Sequence, residues 1–280
     1  MRLHARLCTA SWLCPSVLRE RLLAAALGGV VAPRLVADVF YGKRWIGYLR
    51  EYVEGDSLDR VLVELLEAGR VEEAAALARN AGRLLGLLHE RASCLKGLFR
   101  RPRRLPRLLA GLLALWAGFL EARGFTLESR VLLKTAQGAW KQGVGRLVVP
   151  HGDAHFGQFI AARGGGLLVV DFMGELFRPA TWLFSLQPAE RDLASLLRSL
   201  DYITVFIGER RWGRVYHLLC KSVLKGYTEH TGSLDWAALR LWVLERAGYE
   251  AFYEYAVGSG LEWVPVSALA TMSAAWDCSG

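Results

Sequence analysis

Asp153, Gln158 and Asp171 are the residues whose types and spacing point most directly to chemistry. They lie in HGDAHFGQFIAARGGGLLVVDF, residues 151–172. Asp153 stands five residues before the side-chain amide of Gln158, and Asp171 closes an apolar run. Gly164, Gly165 and Gly166 sit between them, so strands expected around 157–161 and 167–171 would pair as a β-hairpin. That pairing would bring the three groups to one end of a small sheet. Phosphoryl transfer needs such a set: a carboxylate that orients the attacking hydroxyl and takes its proton, and hard oxygen ligands for Mg²⁺ at the phosphates. A lone HGD is worth little, since most such aspartates are surface turn residues. HGDxHxGQ followed by a glycine turn and an apolar strand ending in DF is far more specific. HGDxH is also compatible with a two-metal phosphoesterase, but the GNH[DE] segment which that chemistry needs is absent.

The hairpin needs a frame. Residues 16–29 have helical character and end at Gly28-Gly29, and two strands are expected on either side of a turn at Tyr41 to Lys43. Asp56 or Ser57 caps a helix with Leu58, Val61, Leu62, Leu65 and Leu66 on one face. Further helices are expected at about 71–92, 105–122 and 126–142. His89 is read as a structural helix-end residue. Arg191-Asp192 opens another helix, and Asp192 is a candidate for fixing the catalytic loop. Near the C-terminus, Tyr249, Glu250, Tyr253 and Glu254 fall at spacings that share one helix face. Aromatic rings beside carboxylates suit a sugar, although an amphipathic helix with core tyrosines has the same pattern.

HGDAHFGQFI together with VVDF resembles the aminoglycoside phosphotransferase and choline kinase superfamily of small-molecule kinases. GDAHFGQ, DFMGELFRP and RDLASLLRSLDY are similar to the maltokinases, which phosphorylate maltose at its reducing-end hydroxyl with ATP and carry Gln at the position of Gln158. The resemblance covers about residues 46–270. It implies an α+β, protein-kinase-like fold of two lobes, with a reduced N-terminal lobe and hinge over 1–55 and a mostly helical lobe over 56–280. It also implies ATP as co-substrate and Mg²⁺ as cofactor, with Asp153 as catalytic base and Gln158 and Asp171 as metal ligands. Glu51, Tyr52 and Val53, at the expected hinge, would line the nucleotide cleft. Tyr249, Glu250, Tyr253 and Glu254 would line the site of a small sugar substrate.

Two departures stand beside that resemblance. Kinases of this kind carry a lysine on an early strand that holds the α- and β-phosphates. Here no lysine precedes Lys43, and no glycine-rich phosphate loop occurs. Arg34 is a candidate for the missing charge. A start further upstream, a partner chain supplying N-lobe strands, and a degenerate, non-catalytic module are the three alternatives this leaves. Met173 stands where the maltokinase pattern has an acidic residue.

With 280 residues and 53% apolar composition the chain has material for a sizeable core. Its net charge of +8 suits phosphate-bearing ligands. The basic run Arg100–Arg107 has no interleaved aromatics and is read as a solvated loop, so no specific nucleic acid is expected. Five scattered cysteines form no CxxC pair, which argues against a zinc site or a disulfide framework and for a reducing, cytoplasmic setting. No signal peptide stands out, no membrane partner is expected, and the apolar run 108–120 reads as a buried helix.

Overall fold

The structure is a computed structural model. It describes residues 2–8, 14–139, 143–175, 177–178, 180–208 and 213–275. The N-terminal part is a three-stranded antiparallel sheet of order β1-β3-β2, built from β1 (Leu3–Leu7), β2 (Leu35–Tyr41) and β3 (Arg44–Glu51). Gly42 takes φ +58 in the tight turn between β2 and β3, which is where the turn was expected. The helix α1 (Cys14–Leu27) packs on this sheet through a small core of Val17, Ala24 and Tyr48. The strand β1 was not foreseen: LHARL alternates apolar and polar residues, but five residues are too short a run to stand out as a strand.

Gly55–Ser57 form a short strand, β4, rather than only a helix cap. It pairs antiparallel with β6 (Phe159–Ala162), which pairs in turn with β7 (Leu167–Val169). The boundary expected after residue 55 thus falls inside a strand that belongs to the hairpin sheet. The hairpin is in register Phe159↔Val169 and Ile160↔Leu168, with Gly165 and Gly166 at φ +90 and +84. It begins two residues later than expected, because Phe156–Gln158 form a 3₁₀ turn.

The remaining elements are mostly helices: α2 (Leu58–Glu67), α3 (Val71–Arg91), α4 (Leu105–Ala122), α5 (Thr126–Ala139), α6 (Ala189–Phe206), α7 (Arg214–Thr231), α8 (Trp236–Val257) and α9 (Trp263–Ala275), with β5 (Leu147–Val148) paired to β8 (Gln187–Pro188). Leucines at three- and four-residue spacing bury one face of several of them, as Leu58, Leu62 and Leu65 do in α2. Each such leucine contributes about 1.5–3 kcal/mol. Helices α3 and α7 touch backbone to backbone: a Cβ at Gly82 would fall 2.1 Å from Val223 O, and one at Gly226 would fall 1.9 Å from Arg79 O. Helix α4 meets the length and hydropathy of a membrane-crossing segment. It lays Leu109, Leu113, Trp116 and Leu120 into the core and turns Leu108 and Leu115 to solvent, so only half of it is buried as expected. Arg101, Arg103, Arg104 and Arg107 of the basic run are exposed.

Candidate active site

The first turn of α6 holds the loop that carries Asp153. The Asp192 carboxylate accepts the backbone N–H of His151 at 2.6 Å and of Gly152 at 3.0 Å. It also bonds His89 Nε2 at 3.0 Å, while His89 Nδ1 meets the Tyr227 hydroxyl at 3.1 Å. Burial would raise the Asp192 carboxyl, but the bond from His89 and the nearby charges hold it well below the usual range. The expected roles of Asp192 and His89 therefore have a structural basis: two orphan amides of the loop and one buried imidazole share a single carboxylate.

His151 is fully enclosed. Its Nε2 donates to Val170 O at 3.1 Å, and Nδ1 accepts the Asp153 N–H at 3.3 Å. Burial pushes its pKa down from 6.5 to about 4. The unfolded chain therefore takes up this proton before the folded one does. Stability from His151 is complete above about pH 6.5 and is lost as pH falls toward 4, on the order of 3 kcal/mol in all. His151→Asn, which can still donate to Val170 O, is expected to flatten the pH dependence of Tm between pH 6.5 and 4. An unchanged slope would refute this assignment.

The second loop is set by the hairpin. Val170 N donates to Gln158 O at 2.9 Å, which seats Gln158 beside the strand end that leads to Asp171. Asp171 adopts φ +61, an uncommon left-handed conformation for a residue with a side chain. Phe172 is wholly buried, and Met173 packs against the Val17–Tyr48 core, which accounts for an apolar residue at that position. On β1, Arg6 Nη2 lies 3.7 Å from Asp171 Oδ1 and Arg6 Nε lies 3.4 Å from Glu20 Oε2 of α1. Glu20 also accepts from Arg50 Nη1 at 3.0 Å. Arg6 is thus an N-terminal cation beside Asp171. Arg34 is not: it is exposed and pairs with Glu51 at 2.8 Å.

A cluster of ion pairs joins Asp153 to α8. Glu175 is buried and accepts from Arg178 Nε at 2.5 Å and from Arg191 and Arg246. Burial alone would raise its pKa, but the three guanidinium groups hold it at about 2. Arg246 also reaches Asp153 Oδ1 at 3.2 Å and Glu250 Oε1 at 2.8 Å. Arg178 binds both oxygens of Glu245, at 2.6 and 3.1 Å, and its guanidinium lies 4.0 Å over the ring of Tyr249.

Asp153, Gln158, Asp171, Glu175, Arg178, Arg191 and Arg246 border one cleft of about 1110 Å³. It is lined by Asp153, Gln158 and Asp171 from the two loops and by Tyr249, Glu250, Tyr253 and Glu254 from α8. Glu250 differs from expectation in one respect: its carboxylate is held by Arg198 as well as Arg246, so it builds the wall rather than standing open. Ser195 and Tyr202 of α6 also line the cleft and were not singled out from the sequence. Glu51, Tyr52 and Val53 do not line it. Glu51 sits opposite Leu3 in the sheet, and Tyr52 donates its N–H to Arg2 O and leaves its ring half exposed.

The donor set fits a hard divalent cation. Gln158 Nε2 bonds His155 Nε2 at 3.2 Å, which leaves the amide oxygen for a cation, and the Asp171 carboxylate lines the same cleft. No group of three or more His, Cys, Asp or Glu side chains placed to hold a metal occurs among the described residues. Two protein oxygens, with phosphate and water completing the shell, is the manner in which Mg²⁺ is commonly held.

Solved structures of glucosamine kinase share this fold. One, in crystal form B, superposes with a TM-score of 0.70 at 21% identity, covering 91% of this chain and 69% of that one. Another, in complex with glucosamine, ADP and inorganic phosphate, gives 0.70 at 20% identity, with 90% and 67% covered. Spectinomycin phosphotransferase bound to AMP gives 0.56 at 14% identity, with 98% and 84% covered. Such likeness establishes a kinase-like α+β fold, with small sheets in the N-terminal part and a mostly helical C-terminal part. No curated protein matches the sequence significantly. Residues 10–242 match the phosphotransferase enzyme family (APH), and the chain belongs to that family.

Proposed function

We propose that the protein transfers the γ-phosphoryl group of ATP to a hydroxyl of a small sugar, with maltose as the first acceptor to test. The observation that carries this reading is that one cleft brings Asp153, Gln158 and Asp171 against the aromatic and acidic face of α8. Asp153 orients the acceptor hydroxyl and accepts its proton as the new O–P bond forms and the bond to the ADP oxygen breaks. Gln158 and Asp171 would hold Mg²⁺, which when bound offsets charge on the phosphates. Arg6, anchored by Glu20, faces Asp171 and supplies positive charge on the phosphate side. On the acceptor side, Tyr253 offers a ring to a sugar face, and Ser195 Oγ is buried in the wall without a hydrogen-bond partner.

Glu254 favours a second reading of the acceptor. It is 9% exposed, and no arginine, lysine or histidine pairs with it among the described residues, whereas Asp153, Glu175 and Glu250 each pair with Arg246. A buried carboxylate without a cation invites one from the ligand. An amine-bearing sugar would supply it, and one fold neighbour was solved with glucosamine. ATP consumption by the purified chain with Mg²⁺ is therefore to be measured with maltose, glucose, trehalose, glucosamine and kanamycin. Turnover with maltose supports the first reading. Turnover confined to the amines, lost in Glu254→Gln, supports the second. No turnover with any acceptor and no ATP binding by calorimetry would overturn both and favour a non-catalytic binding module.

A further inference from the structure

We propose that Arg19 is a positioning residue that locks the loop of Asp153 and the loop of Asp171 at a fixed spacing. Its guanidinium donates to Phe172 O, to Pro150 O at 2.6 Å and to His151 O at 2.9 Å. Those three carbonyls belong to two loops separated by the whole hairpin in sequence, and no other side chain described here donates to both. The guanidinium is 1% exposed, lines the cleft, and makes no ion pair with a carboxylate among the described residues. An arginine buried against carbonyls alone carries a desolvation cost that surface packing does not require. The fork geometry explains the choice of residue, since its several N–H groups diverge in one plane and reach separate acceptors at once.

Space at the junction supports the same conclusion. Gly152, at φ +94, precedes Asp153, and a Cβ there would lie 3.1 Å from Arg19 Nη2. The loop thus closes over the guanidinium with little room to spare. Arg19 stands on α1, next to Glu20, which holds Arg6 and Arg50. One turn of α1 therefore ties the N-terminal sheet to both loops of the cleft. A shift of α1 would move Arg6 toward or away from Asp171 and would change the spacing of the loops together.

The effect on turnover rests on the proposed phosphotransfer, whereas the effect on loop order does not. The test uses the full chain with Arg19→Gln and Arg19→Lys. Hydrogen exchange is followed without ligand at the amides of 151–153 and 172–174. Steady-state kinetics give kcat, acceptor KM and the Mg²⁺ concentration for half-maximal rate. In Arg19→Gln, exchange in both loops is expected to quicken about ten-fold or more while the amides of α3 and α7 keep their protection. A loss of kcat of about ten- to a hundred-fold is expected with acceptor KM nearly unchanged, because a misplacement near 1 Å is enough for that. The Mg²⁺ requirement should rise several-fold as Asp171 loses its place. Arg19→Lys should recover part of each effect. Loops that exchange as in the parent chain, or protection lost uniformly across the molecule, would overturn the proposal. If the parent chain shows no turnover, the proposed function fails and the exchange result still decides the role of Arg19.

Discussion

Asp153→Asn should lower kcat by on the order of 10²–10⁴-fold while the protein keeps its fold. The amide has nearly the shape of the carboxylate, and its oxygen can still accept the 3.2 Å bond from Arg246 Nη2. Arg246 also keeps its bonds to Glu175 and Glu250, so no buried charge is left without a partner. The side chain is about a quarter exposed, and its backbone N–H bonds His151 Nδ1 whichever side chain follows. Only the capacity to take a proton from an acceptor hydroxyl is removed. Steady-state turnover with the best acceptor, together with a melting curve, checks this. Full activity in the variant would remove Asp153 from the chemistry, and a collapsed melting curve would show that the carboxylate serves the fold instead.

Glu175→Ala is expected to have the largest effect on stability. Three guanidinium groups, from Arg178, Arg191 and Arg246, converge on one carboxylate that is 2% exposed. Taking it away leaves those cations in mutual contact, with only Glu245, Glu250 and Asp153 to offset them. Breaking a buried ion pair from one side costs about 3–5 kcal/mol, which for a chain of this size lowers Tm by roughly 10 °C. Glu175→Gln should fall between the parent and the alanine variant, because it keeps the shape and loses the charge. Adding Arg191→Gln to Glu175→Ala should recover part of the loss, since the uncompensated charge drops by one. The pH dependence has a definite sign. The Glu175 carboxyl titrates near 2 in the fold against 4.5 in the open chain, so its contribution is full above pH 4.5 and fades as pH falls toward 2. Thermal melts of the four proteins measure these differences. A Tm for Glu175→Ala within a degree of the parent would show that the cluster does not stabilise the fold.

The cluster also marks the limit of what spacing can reveal. Tyr249, Glu250, Tyr253 and Glu254 do share one face of α8 and do reach the cleft, because a helix repeats every 3.6 residues and its face follows from residue order. What Glu250 does there was not legible. Its partners Arg198 and Arg246 come from different helices, and Arg246 reaches back 71 residues to Glu175 and 93 residues to Asp153. Arg246 and Glu250 stand four residues apart on one helix, so that pair follows from residue order, but nothing in the order says that Arg198 closes on Glu250 or that Arg246 reaches Glu175 and Asp153. The same holds for Glu51, Tyr52 and Val53, which lie at and just after the end of β3 and are not among the residues that line the cleft.

Local order was enough for the hairpin, its glycine turn, the loop with Asp153 and Gln158, the strand that leads toward Asp171, and most of the helices that carry the rest. These depend on contacts within a few residues, on turn chemistry and on the period of apolar side chains. The tertiary structure alone selected Arg6 over Arg34 as the cation beside Asp171, placed Arg19 beneath two loops, and gave Met173 an apolar seat in the N-terminal core. Those choices depend on which surfaces meet when α1 and β1 close over the hairpin. Long-range burial and charge pairing set that meeting, and neither leaves a pattern in the neighbouring residues.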